Sequence, residues 1–277
     1  MKSKTSSSSS SSTLAVSSAF QRDPWTQLRR HTAARIALGR SGGSLPTYAQ
    51  LGFVLDHALA RDAVHAPFDA DALAAELSAL HPSPLVLGSA ARDRLTYLQR
   101  PDLGRKLSDH AVVRLSAHDA KSSPDLVIII SDGLSALAAH RQAGPLLGAL
   151  LPRLRTAGFA LAPLCIVKHG RVALMDEIGS LLHAQLALML IGERPGLGTP
   201  DSLGAYLVFA PQADRTNADR NCVSNIRTAG LPPAAAAEKI AALLIAARAL
   251  KLSGVALKES EPTLNAAEGE SAAKRLA

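Results

Sequence analysis

The sequence has 277 residues, of which 47% are hydrophobic, 19% are charged and only 3% are aromatic. This composition allows a sizeable folded core and excludes a chain that is disordered throughout. The few aromatic residues also disfavour a nucleic-acid-binding protein that stacks bases on aromatic side chains.

The net charge of +7 is distributed unevenly along the chain. Residues 1–40 contain seven Lys and Arg residues and one Asp, a net charge of +6, whereas the remainder has a net charge of +1. A nucleic-acid groove would need positive charge spread over the fold. The distribution therefore predicts a local docking surface near the N-terminus and no nucleic-acid partner.

Neither a membrane span nor a secretory signal is predicted. The most apolar segment, at residues 181–191, is shorter than the roughly 18 residues that a span needs. Serines at residues 6–12 occupy the place of the apolar part of a signal peptide. Cys165 and Cys222 are far apart and belong to no Cys/His cluster, which disfavours a disulfide scaffold and a metal site. We therefore expect a cytoplasmic protein.

The N-terminal part is predicted to be a disordered tail followed by a helical region at residues 21–85. Residues 1–20 are rich in serine and cannot bury apolar surface, so a flexible tail is expected there. Asp23 before Pro24 is typical of a helix start, and the basic segment after it predicts a helix up to Gly39. Apolar residues at helical spacing predict two further helices, at residues 47–64 and 69–80.

Residues 86–258 have the pattern of an α/β domain. Continuous apolar runs predict strands that are buried on both faces, with helical segments between them. The predicted strands are at residues 125–130, 161–168, 171–174, 186–191 and 205–209. A long Ala-rich helix is predicted at residues 232–252, and a flexible tail at 259–277. The fold class is therefore α/β, a Rossmann-like mostly parallel sheet with helices on both faces, preceded by a helical N-terminal region.

Polar residues follow several predicted strands, where open α/β sheets bind their ligands. Asp132 lies in Ser-Asp-Gly after the first of these strands, and Glu193 and Arg194 lie in GERPGLG after the fourth. The polar stretch RNCVSN at residues 220–225 is predicted to be a loop that contains Cys222. Each segment also has an alternative interpretation, because Asp-Gly and Gly-rich segments are common in tight turns and an isolated cysteine is usually an inert thiol.

The motifs of several self-contained enzymes are absent from the sequence. It has no GxGxxG fingerprint, no GxxxxGK[ST] loop, no GxSxG elbow and no HExxH zinc motif. Asp62 and His65 form an acid–histidine pair on a predicted helix without a nucleophile, so a helix-face or interface contact is favoured. No catalytic residue and no metal ligand is therefore assigned. The pattern is typical of a subunit that holds a ligand for another chain's active site.

Seven long strings of the sequence point to one protein family. They are DPWTQLRRHTAARIALGRSGGSLPT (23–47), DHALARDAVH (56–65), RDRLTYLQRPDLGRKL (92–107), DLVIIISDGLSALA (125–138), RVALMDEIG (171–179), IGERPGLGTPDSLGAYL (191–207) and RNCVSNIR (220–227). In this order they resemble the small subunit of ethanolamine ammonia-lyase, an adenosylcobalamin-dependent enzyme. The resemblance covers residues 23–258, nearly the whole chain outside its tails.

The resemblance implies a subunit that is active only with a large catalytic subunit. The family converts ethanolamine to acetaldehyde and ammonia by a radical mechanism, with ethanolamine bound mainly by the large subunit. Adenosylcobalamin is the implied cofactor, and the family's contacts with it fall on Val172, Glu193 and Cys222. Val172 suits apolar contact with the corrin ring, and Glu193 suits hydrogen bonds from its peripheral amides. Asp132 and Arg194 are secondary candidates for the same cavity, on position alone.

The resemblance implies that this chain supplies no ligand to cobalt. The sequence lacks the DxHxxG string by which other cobalamin enzymes place a histidine on the metal, and Asp62-Ala-Val-His65 has a different spacing. The basic segment at residues 25–40 is expected to dock onto the large subunit. The family works in the cytoplasm, in many hosts inside or beside a bacterial microcompartment, and the Ser-rich N-terminus leaves encapsulation open.

Two alternatives remain at this point. The first is a ligand-binding or assembly subunit without cofactor contact, against which the intact Val172, Glu193 and Cys222 count. The second is a nicotinamide-linked oxidoreductase on the same fold, against which the missing glycine fingerprint counts.

Overall fold

The computed structural model describes residues 20–81, 83–117 and 123–257. The chain divides into two compact units, whose described parts are residues 20–57 for the first and residues 58–81, 83–117 and 123–257 for the second. The smaller unit contains the short antiparallel strands β1 (Phe20–Gln21) and β2 (Arg40–Ser41), a 3-10 helix (Pro24–His31), and the first part of helix α1 (Thr47–His65).

The basic segment of the smaller unit is less helical than the sequence predicts. The Asp23 carboxylate accepts a hydrogen bond from the Trp25 N–H at 2.8 Å, so the 3-10 helix begins at the predicted position. It ends at His31, and Thr32 is extended. None of its residues is buried, so no packing against a core supports a longer helix. The prediction of a helix up to Gly39 is therefore wrong.

The larger unit alternates strands and helices. Beyond the end of α1, its helices are α2 (Ala70–Leu77), α3 (Arg94–Gln99), α4 (Asp109–Ser116), α5 (Ala136–Thr156), α6 (Leu174–Leu181) and α7 (Pro233–Leu250). Its strands are β3 (Leu85–Gly88), β4 (Leu126–Ser131), β5 (Cys165–Lys168), β6 (Leu186–Gly192), β7 (Leu203–Phe209) and β8 (Arg220–Ile226). Short 3-10 helices lie at Leu103–Arg105, Asn217–Asp219 and Gly254–Ala256.

Within the described part of the larger unit, six strands form one sheet in the order β3-β5-β4-β6-β7-β8. The first four in this order are parallel to one another. β7 is antiparallel to β6, and β8 is antiparallel to β7. The sheet is therefore mostly parallel, which confirms the α/β class that the buried apolar runs predict.

Helices cover both faces of this sheet. Leu126, Ile128 and Ile130 of β4 pack with α2, α5 and α7 on one face. Val127 and Ile129 pack with α4 and α6 on the other, which we refer to as the α6 face. Because side chains alternate along a strand, β4 is apolar at successive positions and buried on both sides.

Several segments differ from the predicted strands and loops. Residues 171–174 form a turn into α6 instead of a strand, and the Met175 N–H donates to the Val172 oxygen at 3.2 Å. The Arg171 N–H is bound at 2.7 Å by Gly104, outside the sheet, so this segment has no strand partner. β3 is a short strand that the sequence does not predict. The segment predicted to be a polar loop is strand β8. It has the composition of a loop because one face of this edge strand is exposed and carries polar residues.

Candidate functional site

The carboxyl ends of five strands meet at one edge of the sheet, because β3, β4, β5, β6 and β8 run in the same direction. The chain leaves β4 towards α5 on one face and leaves β5 towards α6 on the other. Such a change of side between neighbouring strands opens a crevice in which α/β proteins bind ligands. This carboxyl edge is therefore the candidate functional site.

Asp132, directly after β4, is engaged in internal contacts at the carboxyl edge. It is 1% exposed. Its Oδ2 accepts a hydrogen bond from Arg94 Nη1 at 3.0 Å, and its Oδ1 accepts one from the His169 N–H at 2.8 Å. Burial raises the pKa of Asp132, and the nearby Arg94 guanidinium opposes this rise. Asp132 therefore anchors the loop after β5, and both of its oxygens are occupied.

The loop after β5 is held on several sides before it reaches Val172. The Gly170 N–H donates to Ser131 Oγ at 3.0 Å. The Arg171 guanidinium lies 4.1 Å from the centre of the Tyr97 ring and donates to the Tyr97 carbonyl oxygen at 3.0 Å. Tyr97 is fully buried, which raises its pKa to about 12. These contacts fix the backbone that presents Val172 at the start of α6.

Glu193 directly follows β6 and connects it to the residue before β7 and to β8. Its Oε2 accepts hydrogen bonds from Ser202 Oγ at 2.5 Å and from the Asn225 N–H at 3.2 Å. Its own N–H donates to the Ser202 carbonyl oxygen at 2.9 Å. Among the described residues, Oε1 has no hydrogen-bond donor, so this oxygen is available as an acceptor.

Cys222 and Tyr206 are cross-strand neighbours on β8 and β7, close to Glu193. Cys222 is exposed as a residue, while its thiol is partly desolvated. This desolvation raises the pKa of the thiol, a hydrogen bond with Tyr206 opposes the rise, and the Glu193 charge adds to it. Burial raises the pKa of Tyr206 to about 12. At neutral pH the thiol and the phenol are therefore both protonated.

Val172, Glu193 and Cys222, the cofactor contacts that the sequence predicts, lie towards the α6 face. Val172 packs against the core of that face, as does Tyr206, the cross-strand partner of Cys222. Strands β6, β7 and β8 bring Glu193 and Cys222 together, whereas Val172 lies at the start of α6. The secondary candidates are separated by the fold: Asp132 is buried, and Arg194 is exposed.

A buried ion pair joins α6 to β8 on the same face. Arg220 Nη2 donates to Asp176 Oδ2, and the two side chains are 3% and 6% exposed. Burial raises the pKa of Asp176 to about 6, and Arg220 opposes the rise. Sequence reasoning missed this pair, as well as Arg94, His169 and Tyr206. No spacing signal could have found them, because each makes its contacts with residues distant in the chain.

Among residues 20–81, 83–117 and 123–257, no group of three or more His, Cys, Asp and Glu side chains is arranged to hold a metal ion. None of the helices in these ranges combines the length and apolar character of a transmembrane span.

The fold and the carboxyl edge define a mixed α/β protein with a mostly parallel sheet. It places the half-buried Glu193, whose Oε1 has no donor among the described residues, close to Cys222, an exposed residue with a partly desolvated thiol.

Comparison with known proteins identifies the family. Residues 22–258 match the family described as ethanolamine ammonia-lyase light chain (EutC). The ethanolamine ammonia-lyase small subunit of Azotobacter vinelandii is 55% identical over 239 residues, which cover 86% of this chain and 88% of that protein. The small subunit of Xanthomonas campestris pv. campestris is 50% identical over 92% of this chain and 95% of its own length. The chain belongs to the ethanolamine ammonia-lyase light chain family, as the seven strings predict.

Proposed function

We propose that this chain is the small subunit of an adenosylcobalamin-dependent ethanolamine ammonia-lyase. Together with its large subunit it converts ethanolamine to acetaldehyde and ammonia. Membership of the family and 50–55% identity to proteins named as this small subunit support the proposal. In the structure, the observation that carries it is the proximity of Glu193, which has one oxygen without a donor among the described residues, to the exposed residue Cys222 near the carboxyl edge.

The side chains at this edge fit the periphery of a corrin ring. Glu193 Oε1 has no donor among the described residues and suits a hydrogen bond from a peripheral amide N–H. Cys222 offers an exposed residue for van der Waals contact, and the half-buried Val172 offers apolar surface. We assign cofactor binding to these three residues, and none of them is proposed to ligate cobalt.

The catalytic groups and most contacts with ethanolamine are proposed to belong to the large subunit. When bound, adenosylcobalamin supplies radical chemistry through homolysis of its cobalt–carbon bond. The role of this chain is to hold the corrin ring and to cover one of its faces. Ser202 and the Asn225 N–H contribute to this role, because they bind one oxygen of Glu193 and thereby orient the other.

The smaller unit is proposed to contact the large subunit. Arg29, Arg30 and His31 form the last turn of the 3-10 helix, and Trp25 in the same helix is 67% exposed. Exposed aromatic and arginine side chains are the residue types enriched in protein–protein interfaces. Arg35 differs from the other arginines, because it forms an ion pair with Asp56 inside the smaller unit.

Reconstitution tests the proposed activity. The chain is co-expressed with its large subunit, and the purified complex is supplied with adenosylcobalamin and ethanolamine. Acetaldehyde is expected from the complex and from neither subunit alone. A correctly assembled complex that forms no acetaldehyde would overturn the proposal and favour an assembly subunit without cofactor contact.

A substitution of Glu193 tests the proposed cofactor site in the same complex. Glu193→Ala is expected to raise the KM for adenosylcobalamin about tenfold or more, because a hydrogen bond to a charged group contributes about 1.5–3 kcal/mol. The KM for ethanolamine should not change. Glu238→Ala is the matched control, because this glutamate is exposed on α7, on the opposite face of the sheet. Equal cofactor KM values for the two variants would show that the site is assigned wrongly.

We propose a cytoplasmic location, inside or beside a bacterial microcompartment in hosts that build one. Cell fractionation tests this location. The two subunits should be recovered together in the soluble fraction, and co-sedimentation with shell proteins would show encapsulation.

A further inference from the structure

The buried ion pair between Asp176 and Arg220 connects the two elements that carry Val172 and Cys222. Val172 lies four residues before Asp176, at the start of α6. Cys222 lies two residues after Arg220 on β8. Because side chains alternate along a strand, Arg220 and Cys222 lie on the same side of β8. The pair therefore lies directly between the supports of two proposed cofactor contacts.

The surroundings of the pair make each charge depend on the other. Arg220 also donates to Asn217 Oδ1 and to the Arg215 carbonyl oxygen, both at 3.3 Å. Arg220 Nε and Asp176 Oδ1 are buried and have no hydrogen-bond partner in the structure. Replacement of either side chain would remove the contact between Asp176 and Arg220 and leave further buried polar atoms without a partner, which costs more than the loss of an exposed pair. The relative position of α6 and β8 is therefore sensitive to this contact.

We propose that Asp176 and Arg220 are positioning residues for cofactor binding. The ion pair sets the distance between the start of α6 and β8, and hence the distance between Val172 and Cys222. Both charged side chains are buried, so they act through those two residues without touching the corrin ring themselves. This inference rests on the proposed function of the carboxyl edge.

Variants of the pair in the co-expressed complex test this role. Asp176→Asn and Arg220→Lys weaken the contact, because they remove a charge or the planar guanidinium. The double variant Asp176→Leu with Arg220→Met removes both charges and leaves neither unpaired, so it keeps the test open if a single variant fails to fold. The readouts are the KM for adenosylcobalamin, the KM for ethanolamine, and kcat at saturating cofactor.

We expect the KM for adenosylcobalamin to rise roughly tenfold in the folded variants. Loss of the residues that support the ligands of metal sites lowers affinity by a comparable factor, about 10- to 100-fold. The KM for ethanolamine and kcat at saturating cofactor should stay at their wild-type values. A purely structural role would lower the yield or stability of the complex without this selective change.

A second ion pair provides the matched control. Arg248 and Asp125 are 3.6 Å apart and partly buried, and Asp125 precedes β4 at the opposite edge of the sheet. Asp125→Asn should lower stability and leave the KM for adenosylcobalamin unchanged. If it raises that KM as well, general destabilisation explains the effect and the positioning role is overturned.

Glu193→Ala separates failure of this inference from failure of the proposed function. If Glu193→Ala raises the KM for adenosylcobalamin and all folded variants of the Asp176–Arg220 pair leave it unchanged, the positioning role is overturned and the cofactor site stands. If Glu193→Ala also has no effect, the cofactor site fails and the positioning role fails with it.

Discussion

Asp176 is a single residue through which the stability of the fold depends on pH. Its carboxyl group is buried beside Arg220, and burial raises its pKa from the ordinary 3.8 to about 6. Between about pH 4 and 6, the folded state therefore binds more protons at this residue than the unfolded state. The resulting contribution to stability is fully present below about pH 4 and is lost as the pH rises through 6.

We expect this residue to remove up to about 3 kcal/mol from the free energy of unfolding as the pH rises across that range, at about 1.4 kcal/mol per unit of pKa difference. Asp176→Asn cannot titrate and should lack this part of the pH dependence. Denaturant unfolding at a series of pH values measures the effect. The substitution also breaks the ion pair and so changes the unfolding free energy at every pH. The two proteins are therefore compared by the slope of unfolding free energy against pH. Parallel pH profiles of the two proteins would contradict the prediction.

Asp132 and Asp201 both pair with arginine, but only the first pair is buried. The Asp132 and Arg94 side chains are 2% and 17% exposed, whereas Asp201 and Arg141 are 22% and 57% exposed. Asp132→Ala removes the carboxylate partner of Arg94, which keeps only the carbonyl oxygens of Val64 and Gly133, and leaves the His169 N–H without its acceptor. We therefore expect a loss of about 3–5 kcal/mol in unfolding free energy. Asp201→Ala, the control, should cost about 1 kcal/mol or less. Similar small losses would show that Asp132 does not anchor the loop.

At the residue scale, the sequence locates candidates but not the direction of their side chains. Position after a strand selects Asp132 and Arg194 alike, and the structure buries one and exposes the other. Glu193 and Cys222 are identified through the family strings. Their neighbour Tyr206 could not be predicted, because its proximity depends on the register between β7 and β8.

At the scale of elements, burial on both faces decides which strands the sequence predicts correctly. The apolar runs at residues 125–130 and 186–191 correspond to β4 (Leu126–Ser131) and β6 (Leu186–Gly192). β8 was not predictable from apolar content, because its buried residues 220, 223 and 226 are separated by more exposed ones on an edge strand. In the segment at residues 171–174, the three residues after Arg171 are apolar for another reason: they lead into α6, whose buried residues begin at Leu174.

Close packing of elements at the carboxyl edge gives a prediction for Gly192, the last residue of β6. Its carbonyl oxygen accepts a hydrogen bond from the Leu134 N–H at 2.9 Å, and a Cβ on Gly192 would collide with the backbone oxygens of Asp132 and Ser135. Because backbone cannot move aside easily, Gly192→Ala should lower the free energy of unfolding by about 3 kcal/mol, the upper end of the usual cost of overpacking.

The control for Gly192 is Gly148, which lies in α5. A Cβ at Gly148 meets no atom within 4 Å. Gly148→Ala should therefore raise stability by about 0.5–1 kcal/mol, because alanine loses less conformational entropy in a helix. Denaturant unfolding of both variants measures the contrast, and a stable Gly192→Ala protein would mean that β6 and the start of α5 are not tightly packed.

At the scale of the whole molecule, the uneven distribution of charge indicates different roles for the N-terminal part and the larger unit. The larger unit contains the sheet and the carboxyl edge, to which we assign cofactor binding. The basic excess belongs to the N-terminal part, where Arg29 and Arg30 are exposed and no residue of the 3-10 helix is buried. A helix that buries none of its residues gains little stability from packing within this chain. Contact with a partner would supply that packing, which favours subunit docking as the role of the basic segment.

Docking of this segment is tested with matched pairs of arginines. Arg29→Ala with Arg30→Ala should weaken binding of the large subunit about tenfold, because arginines at interface centres contribute strongly to affinity. Arg153→Ala with Arg155→Ala is the control: these arginines also lie in the last turn of a helix, α5, and are exposed. Titration with the purified large subunit measures both. Since exposed charges are screened by salt, the difference between the double variants should shrink as ionic strength rises. Equal affinities of the two double variants for the large subunit at low salt would contradict the docking role of the basic segment.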